Sequence, residues 1–314
     1  MLTRDNLQGI FAAVPIAMDP DGQFIEEDFA ADIRTLCEAG VHGIYTTGTT
    51  GEWYALDDEE FRWLVRVFLE QTSGFDTLTQ IGCGGLSTQA VIDRVRIAIG
   101  EGDRRPAGLQ IILPSWCTLA DDEIDDFFKA VSDAADGVPL VHYNTVRSGR
   151  LLTEGDYERI LRLVPTLIGT KTAAANVDGI VRLLRADLPM NHFIRSEKDL
   201  VQMTMWGSKG VYSAFALCWP EACVQLFELC RQGQWRSALA LQERFNRFYL
   251  EGLVPLEARG FSDATWDKGK AEAAGLLRSR RYVRAPHQAM TQADIDHLQK
   301  VGDECFSDWT ADTK

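Results

Sequence analysis

The segment Leu167-Ile168-Gly169-Thr170-Lys171-Thr172 is a short, largely apolar run that carries a lysine near its end. Its composition is typical of a buried β-strand, and residues 173–176 lead from it into a segment with helical spacing. A lysine in a buried strand is costly, because loss of water disfavours the charged ammonium and lowers its pKa. That cost is understandable if the amine must be neutral and nucleophilic, as in Schiff-base formation with a carbonyl substrate. The alternative is a surface lysine at the start of a loop, so the position of the stretch in the chain matters.

The same succession of strand and helix occurs eight times in about 233 residues. The predicted strands are 9–18, 43–47, 77–83, 107–113, 139–143, 167–172, 192–196 and 210–214. The predicted helices are 26–39, 57–72, 88–100 after a cap at Ser87, 121–135, 153–164, 177–186, 198–205 and 220–231. Strands that are apolar throughout favour a parallel sheet covered by helices. Eight such units predict a (β/α)8 TIM barrel, a fold that typically takes about 250 residues.

An open, doubly wound sheet is the alternative fold, but the first strand-to-helix connection lacks its glycine-rich phosphate-binding pattern. Residues after Gln234 show no strand pattern. We therefore predict a catalytic barrel over 1–233 and a C-terminal helical extension over 234–314 that packs on the barrel.

Composition excludes several classes of partner. The chain has 46 acidic and 32 basic residues, and this net charge of −14 argues against nucleic acid or an anionic membrane as a partner. No apolar run approaches the ~18 residues of a membrane span, and the first residues lack a signal-peptide core. The seven cysteines contain no Cys-x-x-Cys pair, which predicts reduced, buried thiols in a cytoplasmic protein. The five histidines form no metal-binding motif, so we expect neither a metal nor another cofactor.

Polar residues follow most of the predicted strands. In a barrel of this kind the active site lies at the carboxyl ends of the strands. The residues at those ends are 46–52, 114–116, 142–144, Lys171, 196–197 and 212–213. An amine beside a phenol that can relay protons suits imine formation with a 2-oxo acid. The Gly-Thr-Thr-Gly turn at 48–51 offers hydroxyls and backbone N–H groups for a carboxylate.

Three of these motifs together resemble a known family. Gly48-Thr49-Thr50-Gly51-Glu52, Tyr143-Asn144 and Gly169-Thr170-Lys171 occur in order, and the tyrosine and the lysine are 28 residues apart. In these features the chain is similar to the dihydrodipicolinate synthase/N-acetylneuraminate lyase family of class I, Schiff-base pyruvate aldolases and lyases. The resemblance covers nearly the whole predicted barrel, and it implies a homotetramer or a homodimer.

The resemblance also implies roles for individual residues. Lys171 would form the imine with the keto carbon of pyruvate, and Tyr143 would shuttle protons. Thr49 and Thr50, in the carboxylate-binding motif that begins at Gly48, would hold the pyruvate carboxylate and assist the proton relay. Tyr212 would line the pocket where the family often has an aliphatic residue.

Three departures from the family pattern concern the second substrate. The segment from Tyr143 to Gly149 is one residue shorter than the family motif and lacks its proline, so either Arg147 or Arg150 could reach this substrate. Trp116 stands where synthases place a tyrosine used by a neighbouring subunit's relay, and an indole donates a hydrogen bond but shuttles no proton. Glu197 replaces a common glycine, and it would repel an anionic distal group and favour a hydroxyl or an amine.

These features together predict a class I aldolase or lyase that joins or separates pyruvate and an aldehyde, and they argue against the lysine-biosynthetic synthase itself. One alternative is a Schiff-base dehydratase or deaminase of a 2-keto-3-deoxy acid. Another is a non-catalytic barrel that binds a keto acid.

Overall fold

A computed structural model describes residues 1–173 and 176–309 of the chain. Part of the predicted connection at 173–176 and the last five residues of the predicted extension lie outside these ranges. The strands are β1 Gly9–Ala13, β2 Gly43–Thr46, β3 Leu78–Cys83, β4 Gly108–Ile111, β5 Leu140–Thr145, β6 Leu167–Ala173, β7 Asn191–Ile194 and β8 Gly210–Ser213.

Helices alternate with these strands and continue after the last of them. They are α1 Glu26–Glu38, α2 Asp58–Gln71, α3 Thr88–Gly100, α4 Asp121–Ala134, α5 Glu154–Leu163, α6 Val177–Arg185, α7 Leu200–Met205, α8 Pro220–Arg231, α9 Trp235–Phe248, α10 Asp263–Ala274 and α11 Gln292–Phe306. Side-chain caps fix several starts: Ser87 accepts from the N–H of Ala90 at the start of α3, as predicted, and Asp57 and Glu60 cap α2 reciprocally.

All eight strands pair in parallel and in chain order, and β8 pairs with β1 to close the sheet. The predicted (β/α)8 barrel is therefore confirmed. Within it, Lys171 on β6 is in register with Tyr143 on β5 and with Phe193 on β7. The closed sheet thus places the lysine and the tyrosine of two sequence motifs side by side.

Several predicted boundaries are wrong. The fourth and seventh strands end two residues early, at Ile111 and Ile194. The first strand ends at Ala13, and the buried segment beyond it forms β structure only in an isolated bridge between Met18 and Phe24. The helix predicted over 198–205 begins as a 3₁₀ turn at Glu197–Asp199 and becomes α-helical at Leu200. Short 3₁₀ turns of this kind are common at helix ends.

Two apolar layers hold the barrel together. The larger lies between the strands and the surrounding helices, and it continues onto α9 and α11. The smaller fills the barrel interior with aromatic rings, among them Phe11, Tyr45, Phe193 and Tyr212. The Tyr45 and Tyr212 rings meet edge to face with centroids 5.1 Å apart. Lys171 lies on top of this interior layer and contacts two of its rings.

The helices after the barrel pack on it, and α10 lies at its mouth. Lys268 of α10 donates to Glu52 at 2.5 Å and to the carbonyl of Tyr282 at 2.8 Å, and both charged side chains are fully buried. The backbone N–H of Arg284 donates to the other oxygen of Glu52 at 3.0 Å. These contacts fasten the C-terminal segment to the turn that follows β2. The predicted division at 233/234 falls between α8 and α9 and stays a prediction.

Across the described residues, no helix combines the length and the apolar character needed to span a bilayer. All seven cysteines are free thiols; six are buried, and Cys117 is exposed.

Candidate active site

A cavity of about 280 Å³ opens at the carboxyl ends of the strands. Its volume lies at the small end of the range for ligand pockets, which suits a small substrate. Of the residues singled out in the sequence, it is lined by Thr49, Thr50, Tyr143, Arg147, Lys171 and Tyr212. The structure therefore brings six of the nine candidate residues together around one opening.

Lys171 is buried among phenol rings. Its side chain is 8% exposed, and Nζ donates a hydrogen bond to the Tyr45 hydroxyl at 2.9 Å. Nζ also lies 4.4 Å from the ring centroid of Tyr143, 5.0 Å from that of Tyr45 and 5.6 Å from that of Tyr212. Aromatic faces and a phenol oxygen both stabilise an ammonium ion.

This surrounding corrects the expectation of a lowered lysine pKa. Burial by itself lowers the pKa of Lys171, but the oxygens of Tyr45 and Tyr143 and the hydrogen bond to Tyr45 outweigh it, so the pKa is raised. Burial raises the pKa of the Tyr45 phenol as well. At neutral pH the pair is an ammonium and a neutral phenol, and the ammonium must lose a proton before it can act as a nucleophile.

The turn after β2 owes its shape to backbone conformations that need particular residues. A Cβ atom on Gly51 would lie 2.6 Å from the backbone nitrogen of Thr47, so only glycine fits there. Thr47 has a φ of 53° and hydrogen-bonds through its hydroxyl to the backbone of Gly82 on β3. Gly48 lies in a small cleft next to the cavity, together with Thr49 and Tyr143. The turn thus aims Thr49 and Thr50 at the cavity.

The two side chains of the Tyr-Asn motif on β5 have different surroundings. Tyr143 lines the cavity. The amide of Asn144 points away and exchanges two hydrogen bonds of 2.9 Å with the backbone of Leu152. The asparagine therefore holds the loop that carries Arg147.

The two arginines of this loop have different surroundings. Arg147 lines the cavity and pairs with Asp263, with a closest approach of 2.8 Å between Nη1 and Oδ2. Arg150 instead pairs with Asp121 at 2.6 Å and with Asp156 at 2.7 Å, away from the cavity lining. Of the two arginines left open by the sequence, Arg147 is the one at the cavity.

Glu197 and Trp116 are placed elsewhere. Glu197 is fully buried outside the cavity lining, and among the described residues neither carboxylate oxygen has a hydrogen-bond partner. Burial raises the pKa of this carboxyl. Trp116 is 82% exposed and does not line the cavity. The expected contact of Glu197 with the distal end of a substrate is therefore wrong for this cavity.

Sequence reasoning missed five cavity residues that carry chemistry: Tyr45, Arg195, Asp263, Trp266 and Asp267. Tyr45 could have been found, because side chains alternate along a strand and this tyrosine lies close to the carboxyl end of β2. The last three belong to α10, whose buried face carries charged residues and so shows no apolar periodicity.

Asp267 connects α10 to the Gly-Thr-Thr-Gly turn after β2. It accepts a hydrogen bond of 2.5 Å from the Thr50 hydroxyl and pairs with the buried ammonium of Lys270. These contacts join a residue of the second strand-to-helix connection to one 217 positions further along the chain. The position of Thr50 therefore depends on the docking of α10.

Comparison with known proteins matches most of this chain. The model of the dihydrodipicolinate synthetase family matches residues 6–263. The 4-hydroxy-tetrahydrodipicolinate synthase of Methylobacterium radiotolerans is 28% identical over 296 residues, which cover 93% of each chain. That of an Acidovorax species is 30% identical over 266 residues, which are 82% of this chain and 83% of the other.

A solved structure shows the same fold. The pyruvate complex of YagE, an E. coli K12 prophage protein of the dihydrodipicolinic acid synthase family, superposes with a TM-score of 0.84 at 20% identity. The match covers 95% of this chain and 98% of YagE. The protein is a lyase, in the class of carbon–carbon lyases and aldolases. The chain belongs to the dihydrodipicolinate synthetase family.

Proposed function

We propose that this protein is a class I aldolase or lyase that makes or breaks a carbon–carbon bond between pyruvate and an aldehyde. The observation that carries the proposal is the buried Lys171, whose Nζ hydrogen-bonds to one phenol and contacts two more at the bottom of a small cavity. An amine so placed can add to a keto carbon while nearby hydroxyls move protons.

The reaction begins when the ammonium of Lys171 gives up a proton. The free amine adds to the keto carbon of pyruvate, the keto oxygen takes up protons and leaves as water, and an iminium ion forms. Loss of a methyl proton then gives an enamine, whose carbon attacks the aldehyde while the aldehyde oxygen gains a proton. Hydrolysis of the resulting iminium releases the product and restores the lysine.

Tyr143 is suited to carry these protons, because it lies beside Lys171 in register and lines the same cavity. Thr49 and Thr50 line the same cavity and would hold the pyruvate carboxylate. The hydroxyl of Thr50 already donates a hydrogen bond to Asp267, so the hydroxyl of Thr49 is the better hydrogen-bond donor toward a substrate. The chain's own residues thus supply each of these roles without a cofactor.

Two features support an activity other than lysine biosynthesis. Trp116 replaces the tyrosine of the synthase relay, and its indole is exposed. The motif arginine, Arg147, is bound to Asp263 instead of facing the cavity unpaired. We therefore place the protein among the other lyases of the family, acting in the cytoplasm as a homo-oligomer on a different acceptor.

The first experiment is borohydride reduction in the presence of pyruvate, followed by intact mass measurement and peptide mapping. A pyruvyl adduct on Lys171, absent in Lys171→Arg, supports the imine mechanism. Candidate aldehydes then test the carbon–carbon bond step. An adduct formed only with 2-keto-3-deoxy acids, with products that retain all carbons, would instead indicate the dehydratase or deaminase. No adduct with either class would indicate a binding barrel.

A further inference from the structure

Among the residues that the structure describes, three cationic side chains line the cavity: Lys171, Arg147 and Arg195. Lys171 is assigned to imine formation. Arg147 is engaged by Asp263, which accepts from Nη2 at 3.0 Å and pairs with Nη1 at 2.8 Å. The side chain of Arg195 makes no hydrogen bond or ion pair with any described residue, although its charge acts on Lys198 and on the Tyr249 phenol. It is therefore the cation at this site that is open to a ligand.

The strand register shows where Arg195 lies relative to Lys171 along the direction from the barrel interior to its mouth. Phe193 pairs with Lys171 across the two strands, and its ring packs inside the barrel. Arg195 follows Ile194, the last residue of β7, so it stands one residue beyond the carboxyl end of the strand and further toward the mouth of the barrel than Phe193. Arg195 thus lies above Lys171 at the outer part of the cavity.

The carboxylates of the cavity do not cancel this charge. Asp263 is paired with Arg147, and Asp267 is paired with Lys270. Glu197, the carboxylate expected from the sequence, does not line the cavity. Both carboxylates that line the cavity among the described residues are therefore paired, whereas the guanidinium of Arg195 has no described partner.

We infer that Arg195 binds a carboxylate at the end of the substrate that is distal to the reacting carbon. The substrates of this enzyme are accordingly 2-oxo acids, or aldehydes that yield them, with a second carboxylate. A planar guanidinium matches a carboxylate with two parallel hydrogen bonds, which makes Arg195 a specificity-determining residue. The inference rests on the proposed function, because the imine at Lys171 defines which end of the substrate lies at the bottom.

The test compares two six-carbon 2-oxo acids, 2-oxoadipate and 2-oxohexanoate, which differ in a terminal carboxylate or methyl group. For each we would measure the concentration that half-saturates borohydride trapping at Lys171, and the dissociation constant by calorimetry without borohydride. Trapping with pyruvate serves as a separate measure of imine formation. Calorimetry reports the preference for the distal carboxylate even if no imine forms, so the two proposals fail independently.

We expect wild-type protein to bind 2-oxoadipate about tenfold more tightly than 2-oxohexanoate, as is usual for a partly solvated charge-assisted contact. Arg195→Gln should reduce this ratio to within about twofold. Arg195→Lys should retain part of the preference for 2-oxoadipate, because an ammonium keeps the charge but cannot form the two parallel hydrogen bonds of a guanidinium. Arg162→Gln, which removes an exposed arginine of α5, is the matched control and should leave the ratio unchanged. Equal binding of both acids by wild-type protein, or a ratio abolished by Arg147→Gln and not by Arg195→Gln, would overturn the inference.

Discussion

The ammonium of Lys171 donates a hydrogen bond to the phenol oxygen of Tyr45, with 2.9 Å between the two heavy atoms. This contact joins β6 to β2 across the barrel interior, and it keeps the proposed nucleophile charged in the free protein. Lys171 must therefore lose a proton before its amine can add to a substrate. The pH dependence of imine formation thus tests the effect of Tyr45 on the charge of Lys171.

Because the pKa of Lys171 is raised, the fraction of neutral amine increases with pH through neutrality and above. We expect the initial rate of pyruvate trapping to rise from pH 7 to pH 9. Tyr45→Phe removes the hydroxyl that raises the lysine pKa, so its profile should shift to lower pH. Tyr212→Phe is the matched control, because that hydroxyl bonds to Gln80 at 2.8 Å and not to Lys171. Superimposable profiles for wild type and Tyr45→Phe would contradict the assignment.

Asp263 should keep Arg147 out of substrate binding. Asp263→Asn removes the charge that holds the guanidinium, so Arg147 becomes a second cation for a distal carboxylate. We expect 2-oxoadipate to bind about three- to tenfold more tightly to this variant, within the range of one charge-assisted contact. The double variant Asp263→Asn/Arg147→Gln should return to the wild-type dissociation constant, since the two residues are in direct contact. A gain that persists in the double variant would show that Arg147 is not its source.

The ion pair of Lys268 and Glu52 should make the C-terminal segment important for stability. Lys268→Met leaves the carboxylate of Glu52 buried with only the backbone N–H of Arg284 as a described partner. The expected loss is about 3–5 kcal/mol in the free energy of unfolding, measured with urea. Replacing both residues, in Glu52→Gln/Lys268→Met, should restore part of the loss, because no uncompensated charge then remains. A single variant as stable as wild type would show that the pair is solvated in solution.

Glu197 should make stability depend on pH. Its folded-state pKa is raised above the unfolded value, so it favours folding while it is protonated, and the contribution is lost as pH rises through the folded-state pKa. Glu197→Gln stays neutral at every pH. Relative to wild type, this variant should therefore gain stability between pH 5 and pH 8 in urea unfolding. Glu59→Gln, at an exposed position of α2, should stay within about 0.5 kcal/mol of wild type at both pH values.

Much of the site could be predicted because it follows from neighbouring strands. Once β5 and β6 are recognised as consecutive parallel strands, Tyr143 and Lys171 at their carboxyl ends must be neighbours. The same reasoning placed Thr49, Thr50 and Tyr212 at the mouth. It failed for Glu197, because this residue lies in a turn beyond β7, where strand alternation no longer gives the direction of a side chain.

The amino-acid sequence by itself determined the eight strand–helix units, the family and the lysine at the end of the sixth strand. These depend on local periodicity and on chain order, and both are visible in the residues. Only the tertiary structure decided the charge of that lysine, the choice of Arg147 over Arg150, and the unpaired state of Arg195 among the described residues. Each depends on which groups meet across the barrel mouth, where α10 brings in Asp263 and Asp267. Their pairing energies are set by distance and burial after the helix has docked, and no local pattern in the chain encodes those quantities.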